Sequence, residues 1–154
     1  MLRVFLPILL ACIKLGFAAA PIEGRVIHVV DGDSLVLLVG DRRQNIRLAQ
    51  IDAPEQGQRY SITSRQSLTA VCGGQLAHAN VSGKDRNGRL IAQVICAGTD
   101  ANAEQVRRGM AWVFDPSAPS DSLLLRLQEE ARAARRGLWA QAEPVPPWQW
   151  PQSR

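Results

Sequence analysis

The order of elements written into this sequence predicts an α+β fold around a small closed sheet. Strand-like segments come first, one helix is inserted among them, and the remaining helices come late. The chain has 154 residues, 46% of them apolar, which suits one domain with a real core. It shows no internal repeats.

Arg25 to Val30 reads as the first strand, with Val26 and Val29 available to the core. Ser34 to Val39 is an apolar run, Gly40 to Arg43 a turn, and Asn45 to Leu48 a return, so these two segments form neighbouring antiparallel strands. Arg59 to Cys72 reads as a helix that Gly73-Gly74 stops. Gln75 to Val81 and Leu90 to Cys96 are strands joined by a turn from Ser82 to Gly88. Asp100 caps a short helix through Arg108 that Gly109 ends, and Met110 to Phe114 is a short apolar segment. Ser120 or Asp121 caps a last helix in which Leu124, Leu127, Ala131, Ala134 and Leu138 repeat at three and four residues, with Gly137 inside the stripe. Glu143 to Pro151 holds too much proline for a helix or central strand. An extended strap with its tryptophans on the body is expected there, ahead of a ligand for a proline-recognising groove.

The first twenty residues read as a signal peptide. Arg3 supplies the positive charge, Val4 to Ile13 the apolar stretch, which Lys14 interrupts before the cleavage site, and Ala18-Ala19-Ala20 the small-residue cleavage pattern. The stretch is too short to span a bilayer. Leu9-Leu10-Ala11-Cys12 is an imperfect lipobox, the alternative in which Cys12 anchors a lipoprotein. Both readings imply export, to the periplasm or the medium, and the signal-peptide reading divides the chain into residues 1–20, a domain over 21–140 and a Pro/Trp-rich tail over 141–154.

The 18 basic and 14 acidic residues give +4; removing Arg3 and Lys14 with the leader leaves 16 against 14, or +2. Nearly all of that positive charge is arginine, which suits bidentate contact with phosphate and equally a solvated surface. Cys72 and Cys96 are an even pair for an oxidising compartment, and strand pairing places them near one another. A disulfide is expected; the alternative is two small buried side chains. Two thiols without suitably spaced histidines do not make a metal site.

Chemistry concentrates in Asp31-Gly32-Asp33-Ser34 and in Arg47 followed by Asp52-Ala53-Pro54-Glu55. Either half alone is ordinary turn or loop sequence. Pairing of the intervening strands would bring the first carboxylates back beside Asp52. Converging carboxylates and an arginine make a hard-cation site next to an anion clamp, the equipment for cutting a phosphodiester. His28 and His78, the only histidines, lie near no nucleophile motif and read as surface or partly buried side chains.

Asp85-Arg86-Asn87-Gly88-Arg89 resembles the second signature of the thermonuclease (staphylococcal nuclease) family, as the two earlier segments resemble its first. The resemblance runs from about Gly24 to Trp139. It implies a five-stranded OB-fold barrel with three helices, and OB folds bind oligonucleotides on one face. On this footing Asp33 and Asp52 are hard oxygen ligands for Ca2+, to which the family match adds the Ala53 carbonyl, while Asp31 supports the turn. Glu55 would activate or orient the attacking water, and Arg47 and Arg89 would grip the phosphate. The implied activity is calcium-dependent hydrolysis of DNA and RNA, single strands preferred, leaving 3′ phosphates. A monomer without a stable protein partner is expected.

Departures from the family pattern are Ser34 for threonine, Asn87 for tyrosine, and Phe114-Asp115 where a tyrosine-rich segment often follows. They bear on phosphate-end recognition and leave every assigned chemical residue in place. Tyr60 offers either a substrate contact or packing at the helix start. The alternatives are a catalytically weak OB module that only binds nucleic acid, and an exported partner-binding protein using its tail.

Overall fold

Every second side chain along the strands faces inward, and these fill one core: Leu35 and Leu37, Ile46 and Leu48, Ala77 and Ala79, Ala92, Val94 and Cys96. In this computed structural model residues 20–114 and 122–151 are described. Arg3, Cys12, Lys14, Asp115, Ser120 and Asp121 lie outside them, as does nearly all of the leader.

Five strands close a barrel. β1 (Ile22–Val29), β2 (Ser34–Val39) and β3 (Arg42–Leu48) run antiparallel in sequence, and β1 also pairs with β5 (Leu76–Lys84), which pairs with β6 (Leu90–Cys96). Closure is the parallel pairing of β3 with β6, Ile46 opposite Leu90 and Leu48 opposite Ala92. Three two-residue strands complete the sheets: β4 (Ile51–Asp52) pairs with β8 (Trp112–Val113), and β7 (Thr99–Asp100) extends the barrel sheet beyond β6. With the helices α1 (Ser61–Cys72), α2 (Ala101–Arg107) and α3 (Leu123–Ala133), this is the α+β OB-like barrel that the sequence predicted.

Several boundaries shift for physical reasons. β5 runs three residues into the predicted turn because a bulge after Val81 lets Gly83 and Lys84 pair with Ile91 and Leu90. α1 starts at Ser61 because Tyr60 is left-handed, with φ +70°. Asp100 caps α2 as expected, accepting from the Ala103 N–H at 3.0 Å. Ser122, one residue beyond the predicted caps, accepts from the Leu125 N–H at the start of α3. α3 stops at Ala133, so Leu138 reaches the core from a separate 3₁₀ turn, Gly137–Ala140. Gly109 (φ +69°) and Gly137 (φ +52°) lie back to back there, and a Cβ on Gly137 would come 2.3 Å from the Gly109 carbonyl oxygen.

Cys72 at the end of α1 and Cys96 at the end of β6 are joined, Cα atoms 5.2 Å apart. Trp112, Ala131, Leu138 and Trp139 form a second buried cluster, on which Tyr60 packs. The tail lies on that cluster, extended except for one 3₁₀ turn at Pro147–Gln149: Pro147 is buried, and Trp148 meets Trp112 and Phe114 at ring separations of 5.9 and 5.1 Å. Among the described residues no helix is long and apolar enough to cross a membrane.

Candidate active site

The Asp31-Gly32-Asp33 turn is pressed onto the helices. A Cβ on Gly32 would fall 1.8 Å from the Ser64 hydroxyl of α1, so only glycine fits, and the buried Gln105 of α2 donates to the Gly32 carbonyl at 2.7 Å. Asp31 accepts from the Asp33 N–H at 3.0 Å, the turn-supporting part expected of it. Asp33 is thereby held inward, 3% exposed.

Three donors converge on the Asp33 carboxylate: the Ser34 hydroxyl at 3.0 Å, Arg47 Nη1 at 2.9 Å and the Ala53 N–H at 2.7 Å. Even so, burial pushes its pKa up to about 7, and the nearby charges of Asp31 and Asp52 add to the rise against the pull of Arg47. Arg47 sits opposite Ser34 in the β2–β3 register. Its Nη2 donates to Asp52 Oδ1 at 2.9 Å, so one guanidinium spans both aspartates.

Arg89 arrives through the parallel closure. It precedes Leu90, the partner of Ile46, and its Nη1 donates to the Ser34 hydroxyl at 3.3 Å. Its Nε donates to Asp85 Oδ2 at 2.7 Å, while Asp85 Oδ1 accepts from the N–H groups of Asn87 and Arg89. Ser34, keeping the hydroxyl of the threonine it replaces, thus touches both Asp33 and Arg89.

Glu55 is half-buried three residues beyond Asp52. Desolvation first, then the charges of Asp52 and Asp31, raises its pKa above the ordinary carboxylate value, with Arg47 and Arg89 acting in opposition. A raised pKa brings a carboxylate closer to the range useful for a general base.

Among the described residues no three His, Cys, Asp or Glu side chains are grouped to hold a metal. The candidate donor set is instead two carboxylates bridged by one arginine, Asp33 and Asp52, with the Ala53 carbonyl. It is all oxygen, which fits a hard cation such as calcium, with water completing the shell, and does not fit a thiolate- or imidazole-seeking ion.

Asp33, Arg47, Asp52, Ala53 and Arg89 are therefore brought together by direct bonds or through Ser34, and Glu55 shares their electrostatic environment. Tyr60 packs on the tryptophan cluster, the second of its two readings. Asn87 is exposed in its turn. His28 is exposed, and His78 is exposed and faces Glu23 at 3.2 Å. Sequence reasoning missed Gln58, Gln105 and Asn102, all buried polar residues that tie loops across the fold. Their neighbours in sequence are largely polar or charged, so no local signal distinguishes them from surface amides.

Residues 45–141 match the staphylococcal nuclease homologue family. The chain is similar to an uncharacterized endonuclease of Escherichia coli O157:H7, 37% identical over 150 residues and covering 97% of each protein. It is 34% identical over 143 residues to a micrococcal nuclease of Shigella flexneri, covering 86% of this chain and 82% of that one. An uncharacterized endonuclease of Haemophilus influenzae is 37% identical over 127 residues, 82% of this chain and 71% of its own.

Proposed function

This chain belongs to the staphylococcal nuclease homologue family and is a nuclease hydrolase, and from that premise we propose a calcium-dependent enzyme that hydrolyses DNA and RNA outside the cytoplasm. The observation that carries the proposal is the fork of Arg47 on Asp33 and Asp52, with Arg89 tied to the same Asp33 through Ser34.

Glu55 takes or orients the proton of a water that attacks phosphorus. The bond from phosphorus to the 5′ oxygen breaks, and that oxygen takes up a proton from solvent as it leaves, giving a 3′ phosphate and a 5′ hydroxyl. Arg47 and Arg89 donate to the non-bridging oxygens, and these bonds strengthen as negative charge accumulates in the transition state. Asp33, Asp52 and the Ala53 carbonyl would hold calcium, which supplies Lewis-acid stabilisation when bound. Single strands are the preferred substrate: Phe114 and Trp148 leave 45% and 49% of their surfaces exposed beside β8, the partner of the strand carrying Asp52, where unstacked bases could lie on them. The Cys72–Cys96 bond supports an oxidising compartment and so removal of residues 1–20 on export. All assigned residues come from one chain, in keeping with a monomer.

The test is cleavage of single-stranded DNA and RNA by the mature chain with calcium and with chelator, alongside Glu55→Gln. Cleavage that requires both calcium and Glu55 supports the reading. Binding without cleavage under every condition would favour the alternative, a catalytically weak nucleic-acid-binding module.

A further inference from the structure

Gln58 is the one buried side chain in the segment 56–60, between the exposed Gln56 and Gly57 and the exposed Arg59. Its amide faces two ways. The oxygen accepts from the Glu55 N–H at 3.0 Å, and the nitrogen donates to the Val145 carbonyl at 2.6 Å, 87 residues further along the chain. The Gln58 N–H closes the turn by donating to the Glu55 carbonyl at 2.9 Å. Val145 belongs to the tail, which buried Pro147 and the contacts of Trp148 with Trp112 and Phe114 fix to the body. Trp112 in turn pairs with Asp52.

We infer that Gln58 is a positioning residue through which the C-terminal strap sets the carboxylate of Glu55; the inference rests on the catalytic role proposed for Glu55. The two ends of a carboxamide are chemically distinct, so its bond to Val145 orients the oxygen toward the Glu55 amide. Without the strap the amide is free to turn, and the 55–58 loop loses its connection to the strand opposite Asp52. A small displacement of a catalytic group costs rate far more than it costs binding, up to about a hundredfold for roughly 1 Å. The tail is thus a structural part of the site, which accounts for a proline- and tryptophan-rich segment that supplies no group to the reaction itself.

The experiment uses the full mature chain, with Gln58→Met to keep volume and drop both hydrogen bonds. The expected result is a fall of about tenfold in kcat with KM and calorimetric calcium affinity unchanged. In a Glu55→Gln background the same substitution should leave the residual rate unchanged, because there is no longer a carboxylate to position. Pro147→Ala, which loosens the strap from its other end beside Trp148, should give the same fall in kcat, absent in the Glu55→Gln background, and serves if Gln58→Met does not fold. An equal loss in both backgrounds, or a change confined to KM, would overturn the inference. Native kcat in Gln58→Met and Pro147→Ala overturns it too, whereas full activity of Glu55→Gln would instead remove the role of Glu55 on which it rests.

Discussion

Arg47 donates to Asp33 across 2.9 Å from a side chain that is itself 22% exposed, with the aspartate side chain 5% exposed. Its second nitrogen reaches Asp52 at the same distance. The arginine proposed to grip phosphate is therefore also the counter-charge that lets two carboxylates stay close. Arg47→Gln should destabilise the metal-free protein by about 2 kcal/mol, less than the full cost of breaking a buried pair because Arg47 is partly solvated. Calcium should restore most of that loss, since it supplies the missing positive charge. Unfolding measured with calcium and with chelator checks this, and an equal loss under both conditions would separate Arg47 from the ion site.

Arg89 does two jobs at once, with Nε on Asp85 at 2.7 Å and Nη1 on Ser34 at 3.3 Å. Lysine carries the charge but cannot span both partners and still present a planar fork. Arg89→Lys should lose about 2 kcal/mol or more of transition-state stabilisation, read as a fall in kcat. Near-native turnover would show that Arg89 serves the turn alone.

The charge of Asp31 helps to raise the pKa of Glu55, and its Oδ1 accepts from the Asp33 N–H. Asp31→Asn keeps that acceptor and removes the charge. A general base must be deprotonated, so activity is lost as pH falls through its raised pKa, and relieving the rise should move this acid limb of kcat to lower pH. The pH profiles of the two proteins at saturating calcium decide it, an unmoved limb meaning that another group titrates there.

Cys72 and Cys96 are both fully buried and 24 residues apart in sequence. Closing a loop of this size contributes about 3 kcal/mol. The double substitution Cys72→Ala/Cys96→Ala should lower unfolding free energy by that order while leaving KM unchanged, because the bond ties the end of α1 to the far end of β6. Thiol titration of the unfolded, unreduced mature chain should find no free thiol, and two free thiols would refute the bond.

How far the site could be read from sequence depends on the range of each contact. Asp33, Arg47 and Asp52 were legible because a short antiparallel pairing, Ser34 opposite Arg47, carries their convergence, and the apolar run, turn and return from Ser34 to Leu48 reveal that pairing. Arg89 came from its motif alone, since the parallel pairing of β3 with β6 that brings it to Ser34 leaves no local trace. Gln58 and Gln105 were not legible. Their partners Val145 and Gly32 lie 87 and 73 residues away, and hydrogen bonds of that range follow from tertiary packing. The end of α3 was hidden too: the chain turns left-handed at Arg135 (φ +52°), a residue type that does not announce such a turn, while the apolar stripe continues to Leu138.

Asn87 marks the widest departure from the family pattern, and its turn can accept a larger side chain. Only the main chain of Asn87 is engaged there, its N–H donating to Asp85 Oδ1 at 2.9 Å, and the residue is exposed. A tyrosine would leave that bond in place and add a phenol donor and a flat ring to the turn that leads into Arg89. Ground-state grip on a phosphate and its nucleoside should rise while the arginines and the oxygen ligands act as before. Asn87→Tyr should therefore tighten a 3′,5′-bisphosphorylated nucleotide by about tenfold, the worth of one good hydrogen bond to a charged group. Calorimetric titration of both proteins with calcium present measures the difference, and equal affinity would place the tip of this turn away from the ligand.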